Sequence, residues 1–136
     1  MQLKTIHDLT LDEERALYGV QNARIENCTF DGPADGESAL KETRGTQLHS
    51  CRFALRYPVW HAQDCQVSEC VMTEGCRAPF WYCQDLSIHK SAISGAKALR
   101  ECDNVLLNGC EIESDEFGWL NRGLVMENCR LTSGYP

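Results

Sequence analysis

The sequence predicts an all-β chain wound as a parallel β-helix solenoid of about six coils, and three observations carry that prediction. A nine-residue phrase returns six times, an apolar alternation of period two runs through each copy, and the copies recur every 19 to 23 residues. They read NARIENCTF at 22–30, GTQLHSCRF at 45–53, DCQVSECVM at 64–72, DLSIHKSAI at 85–93, NVLLNGCEI at 104–112 and GLVMENCRL at 123–131. Self-similarity at such a period marks a solenoid, where each repeat buries its apolar face only by stacking on its neighbours.

The first element of each copy is a short strand. Ala23, Thr46, Cys65, Leu86, Val105 and Leu124 begin it, and two residues later come Ile25, Leu48, Val67, Ile88, Leu107 and Met126. Period two places both sets on one face, toward a core. Three residues on, Cys28, Cys51, Cys70, Ser91, Cys110 and Cys129 occupy one position, where a buried cysteine acts as a small apolar side chain. Phe30, Phe53, Met72, Ile93, Ile112 and Leu131 follow and predict a second strand after a bend. Earlier in each repeat Leu17, Leu40, Val59, Phe80 and Leu99 stand after a small residue or proline and predict a third strand. Stacked coils lie about 4.8 Å apart, so equivalent side chains form columns.

Residues 1–15 are expected to cap the amino end, with Thr10 and Glu13 at capping-box spacing before a helical turn, and residues 16–136 to form the repeats. A leucine-rich repeat fits 105–112 locally, but 19 residues is short for it and the returning segment is strand-like. A pentapeptide repeat fails because no apolar position recurs every five residues.

Composition removes other classes. A net charge of −7 and a pI near 5.0 disfavour nucleic acid, whose phosphates require clustered Lys and Arg. No apolar run approaches the roughly 18 residues of a membrane span, and the first residues lack a signal-peptide layout, so a cytoplasmic location is expected. Nine cysteines, an odd number without an export signal, point to reduced thiols.

Several irregular phrases add a resemblance. DEERALYG, FDGPADGESALKE, FALRYPVWH, CRAPFWYC, KALRECDN and DEFGW, taken in order, resemble a bacterial family of uncharacterised proteins built of right-handed parallel β-helix repeats. The resemblance runs from about residue 10 to the end. It implies the right-handed fold and no activity. Members continue for further coils, whereas this sequence stops at Tyr135-Pro136; an uncapped last coil predicts homo-oligomerisation through that end, or a fragment.

The most distinctive column is Tyr18, Lys41, Trp60, Trp81, Arg100 and Trp119, which holds all three tryptophans. Indole faces can carry pyranose rings, and cation–π contacts can knit the column together. Beside it run Gly19, Glu42, His61, Tyr82, Glu101 and Leu120. Glu42, His61, Tyr82 and Glu101 resemble an acid–base strip, but Glu42 and Glu101 are three coils apart, about 14 Å, too far to flank one glycosidic bond. The ligand-binding candidates are therefore Trp60, Trp81, Arg100, Trp119, Tyr82 and Glu42, and the catalytic ones His61, Glu101 and Arg100.

No cofactor or metal is expected. Asp31, Asp35 and Glu37 lie in a Gly- and Asp-rich turn without ordered ligand spacing. Cys65, Cys70, Cys76 and Cys83 contain no C-x-x-C pair, Cys83 and Cys102 stack in a column, and His49 and His89 are two coils apart with Ser68 between. Cys76, beside Arg77, is the one thiol expected to be reactive, and Glu37, Arg56 and Arg77 share a position where they can pair. The expected function is a non-catalytic binding or assembly module whose Trp/Arg ladder contacts carbohydrate or protein. The alternative is a polysaccharide lyase or hydrolase on the same face, with Arg100 holding an anionic sugar.

Overall fold

The structure, a computed structural model, describes residues 4–11, 16–31, 38–118 and 120–133. Every strand pairing in it is parallel, and no helix occurs among the described residues. The first sheet stacks β1 (Lys4–His7), β3 (Gln21–Glu26), β5 (Arg44–His49), β8 (Gln63–Ser68), β11 (Gln84–His89), β13 (Asp103–Asn108) and β15 (Arg122–Glu127). The second stacks β2 (Thr10–Leu11), β4 (Thr29–Asp31), β6 (Arg52–Ala54), β9 (Val71–Met72), β12 (Ala92–Ser94), β14 (Glu111–Glu113) and β16 (Arg130–Thr132). Seven strands per sheet enclose about six turns of a parallel β-solenoid, as the repeat predicts.

Register follows the repeat. Ala23 pairs with Thr46, Thr46 with Cys65, Cys65 with Leu86, Leu86 with Val105 and Val105 with Leu124. The positions from Ala23 to Val105 and those two residues on, Ile25 to Leu107, fill a core that also takes in Phe30, Phe53, Met72, Ile93 and Ile112; Leu124 packs against it and Met126 is exposed.

Two expectations change. A seventh copy of the phrase, KTIHDLTL at 4–11, supplies β1 and β2, with Lys4 opposite Ala23 and Leu11 opposite Phe30. Thr10 lies in β2, so it caps no helix; Glu13 lies outside the described residues. Among the described residues the third strand is regular in two coils, β7 (Val59–Trp60) and β10 (Phe80–Trp81), with an isolated bridge from Trp81 to Arg100. Even so, Leu17 N donates to Ala39 O at 2.8 Å and Leu40 N to Pro58 O at 2.9 Å, so the third side is stitched between coils where no full strand forms.

Left-handed residues bend each coil at the second residue of its first-sheet strand and again near that strand's end. Asn22, Gly45, Asp64, Asp85, Asn104 and Gly123 all have φ between 53° and 67°, and Asn27, Ser50, Glu69, Lys90, Gly109 and Asn128 form a second such set. Left-handed residues turn the chain sharply, and Gly, Asn and Asp adopt that conformation at least cost. The cysteine position follows the second corner directly. Cys28 Sγ donates to Glu26 O at 3.3 Å, Cys70 Sγ to Ser68 O at 3.3 Å, and Ser91 Oγ to His89 O at 3.0 Å. Ser91 Oγ also accepts the Cys70 N–H at 3.1 Å. Serine therefore substitutes for cysteine because both hydrogen-bond at the bend, as well as because both are small.

Candidate functional site

The column Lys41, Trp60, Trp81, Arg100 lies on the third side of the coil. Its two described indoles lie parallel, with centroids 5.2 Å apart and planes within 8°. Lys41 Nζ sits 4.2 Å from the Trp60 centroid, and Arg100 Cζ 5.3 Å from that of Trp81. Column order puts these cations on the outer faces of the pair. Tyr57 leans across both rings, 5.8 Å from Trp60 and 5.6 Å from Trp81, and Tyr82 stacks on Trp81 at 5.2 Å.

Both faces of each indole are thus taken by neighbours. A pyranose cannot lie flat on Trp60 or Trp81 without displacing a cation or a ring, so a ligand meets their edges. Trp119 lies outside the described residues. Tyr57 was not singled out by the repeat because its position varies in character: Arg77 O accepts its N–H in the next coil, and its ring folds over the tryptophans.

The neighbouring column projects outward for a backbone reason. Gly19, Glu42, His61, Tyr82, Glu101 and Leu120 all have φ between 52° and 70°. This is a third left-handed corner, and it is held by inter-coil bonds. Gly19 N donates to Lys41 O at 2.9 Å, Glu42 N to Trp60 O at 2.9 Å, His61 N to Trp81 O at 2.7 Å and Tyr82 N to Arg100 O at 3.0 Å. Tyr18 is 49% exposed and Tyr82 40%, the two aromatic side chains most open to solvent among the described residues.

The side chains of this corner pair laterally. Glu42 accepts from Tyr18 Oη at 3.1 Å and from His61 Nδ1 at 3.2 Å, and the His61 bond followed by the Tyr18 bond holds its carboxyl below the usual carboxylate range. Arg100 Nε lies 3.4 Å from Glu101 Oε1, an ion pair that is not aligned as a hydrogen bond. A hydrogen bond to Glu101 pushes the Tyr82 hydroxyl above its ordinary value.

A lowered carboxyl stabilises the fold at pH values above its ordinary 4.5, and that contribution disappears as pH falls through the lowered folded-state value. Glu42→Gln is therefore expected to lower the thermal midpoint at neutral pH and to converge on the parent protein in strong acid. Paired melting curves across pH 2 to 7 measure it; a gap that stays constant would dissociate Glu42 from the effect.

Three shallow hollows line up beside this corner. One of about 350 Å³ is lined by Gly19, Gln21, Glu42, Arg44, His61 and Gln63. The next, about 360 Å³, is bounded by Lys41, Glu42, Trp60, His61 and Tyr82. The third, about 610 Å³, is bounded by Tyr82, Glu101, Asp103, Leu120, Asn121 and Arg122. Shared residues join them into one groove parallel to the solenoid axis. Five coil spacings give it a length of about 24 Å. Repeat alignment missed Gln21, Arg44 and Gln63 as lining residues, although they share one column just before the first-sheet corner.

The remaining candidates sort by burial. Cys76, expected to be reactive, is fully enclosed, its Sγ donates to Phe53 O at 3.2 Å, and burial pushes its thiol up. The turn after β9 folds Cys76 inward, its N–H donating to Thr73 O at 2.9 Å. Cys65 is likewise pushed up to about 11 by burial, and burial also raises Cys83, which stacks on Cys102. Among the nine thiols Cys129, in the last coil, is the one not buried. His49 Nδ1 meets Ser68 Oγ at 2.8 Å and His89 Nε2 meets Ser87 Oγ at 2.8 Å, so each histidine has its own serine. Among the described residues no three His, Cys, Asp or Glu side chains cluster as metal ligands. Asp31 ends β4, while Asp35 and Glu37 lie outside the described residues. No helix among the described residues is long and apolar enough to cross a membrane.

No curated protein matches the chain. A family described as protein of unknown function (DUF3737) matches residues 4–136, with the repeats, the tryptophan stack and the groove all inside the match. The chain belongs to that family.

Proposed function

We propose that the chain is a non-catalytic binding module whose groove takes an extended polymer, foremost a carbohydrate chain. The alignment of the three hollows along one left-handed corner carries this reading, because a 24 Å strip, about five coil spacings long, suits a linear ligand better than a compact one. Tyr18 and Tyr82 offer aromatic surface to sugar rings, while Gln21, Arg44, Gln63 and Glu42 offer hydroxyl partners. The stacked tryptophans and their cations form the wall rather than the platform.

A protein segment is the second reading, favoured by the Tyr, Trp and Arg content of the face, the residue types that dominate protein interfaces. Catalysis by His61, Glu101 or Arg100 receives no such support. Glu42 and Glu101 stand three coils apart in their column, about 14 Å, too far to flank one glycosidic bond.

Titration with neutral and acidic oligosaccharides of increasing length, followed by tryptophan fluorescence, tests the proposal. The expected result is a saturable shift whose affinity rises with chain length, falling at least about tenfold in Tyr82→Ala while the melting temperature holds. Silence across the whole panel would remove carbohydrate from consideration.

A further inference from the structure

The charges of the groove differ along its length. The two hollows toward the amino-terminal coils are lined by two cations, Lys41 and Arg44, and one carboxylate, Glu42, with His61 shared between them. The third is lined by two carboxylates, Glu101 and Asp103, and one cation, Arg122. A ligand that carries charge at one place along its length therefore finds the two ends unequal.

Within the first two hollows the charged groups are engaged to different degrees. Glu42 accepts from Tyr18 Oη at 3.1 Å and from His61 Nδ1 at 3.2 Å, one bond to each of its oxygens. Lys41 Nζ lies over the Trp60 ring, 4.2 Å from its centroid. The guanidinium of Arg44 is exposed and takes no ion pair or side-chain hydrogen bond among the described residues.

The neighbours of Arg44 in its column decide what it can hold. It pairs in register with Gln21 on one side and Gln63 on the other, each one coil spacing, about 4.8 Å, away at the backbone. Both glutamine amides are also without a side-chain hydrogen bond among the described residues. A guanidinium presents a planar fork of N–H donors that matches two oxygens of one acid group, and an amide on each flank can donate to the remaining lone pairs. Tyr18, fixed through its hydroxyl to Glu42, offers a ring face beside the same hollow.

We propose that this hollow is a subsite for an acidic sugar, with the oxygens of its carboxylate or sulfate on the Arg44 fork and Gln21 and Gln63 donating from either flank. The assignment rests on the groove binding a carbohydrate chain. Glu101 and Asp103 repel a second acid at the far end, so uncharged sugars lie beside Tyr82 and the acidic one lies toward the amino-terminal coils.

Oligosaccharides of one length, each carrying a single acidic sugar at one end, test it against their own neutral counterparts. A uronate is compared with its carboxyl-reduced form and a sulfated sugar with its desulfated form. Tryptophan fluorescence reads binding, because Trp60 lines the adjoining hollow. The parent protein is expected to bind at least one acidic form about tenfold tighter than its neutral counterpart, and the form so preferred identifies the acid group. Arg44→Gln removes the fork and is expected to cut that preference to about twofold or less, whatever it costs both forms in common. The side chain is exposed, so the melting temperature of the variant is expected to stay near that of the parent protein. Neutral forms that bind the parent protein as tightly as the acidic ones, or a preference that survives Arg44→Gln, would overturn the subsite and leave the groove reading standing. Binding of no form at all would overturn both.

Discussion

Gly95→Ala is expected to destabilise the solenoid by on the order of 4 kcal/mol. Gly95 has φ 118°, a conformation L side chains rarely adopt, and an added Cβ would stand 1.7 Å from the carbonyl oxygen of Cys76 and 2.8 Å from its carbon. Both atoms are backbone in the adjacent coil, so no side chain can move aside. Relief requires these two coils to separate, which strains the bond from Ala78 N to Ala96 O at 2.8 Å and opens the enclosed Cys76. Gly75→Ala is the control: its nearest atom is Thr73 Oγ1 at 3.8 Å and its φ is not in the left-handed range, so about 0.5 kcal/mol or less is expected. Urea denaturation followed by circular dichroism compares the two, and equal midpoints would show that the close approach at Gly95 can be relaxed.

Phe53→Ala is expected to cost about 3 to 5 kcal/mol. Phe53 is fully enclosed and lies parallel to Phe30, with centroids 4.8 Å apart and planes 4° apart, and its other neighbour in the column is Met72. Coil spacing holds these neighbours in place, so the cavity cannot collapse along the axis, and the loss should lie at the upper part of that range. Phe53→Leu keeps most of the volume and is expected to cost about 1.5 kcal/mol or less. Similar losses for the two variants would mean that the ring is not packed against Phe30 as described.

The two effects differ in how visible they are in the sequence. Phe53 stands in a column with Phe30, Met72, Ile93 and Ile112, and period two announces it as core. Gly95 stands in SGAKA, which carries no such signal; its need for glycine comes from a carbonyl nineteen residues away in sequence and touching in space. The seventh copy of the repeat was overlooked for a simpler reason. KTIHDLTL carries Leu9 where the other copies carry cysteine or serine, although Ile6 and Leu11 keep the alternation. The corner column Asn22, Gly45, Asp64, Asp85, Asn104 and Gly123 was equally open to view, since Asn, Asp and Gly are the residues that tolerate the left-handed region.

The candidate site divides in the same way. Repetition put Trp60, Trp81 and Arg100 in one column and Glu42, His61, Tyr82 and Glu101 in the next, and the structure stacks them in that order. Whether an indole presents its face or its edge depends on what sits above and below it; column order alone placed Arg100 against Trp81, whereas Lys41 over Trp60 was not expected. Cys76 shows the converse: a sequence neighbour, Arg77, suggested an open thiol, while the packing around Phe53 encloses it.

The sequence by itself determined the solenoid, its two inner columns and their register, because a repeated alternation of period two leaves a parallel stack as the arrangement that buries every copy. Only the tertiary structure decided which polar columns meet solvent and where the groove runs. Those properties arise where left-handed corners turn a side chain outward and where one coil lies against the next, and neither is encoded in any single repeat.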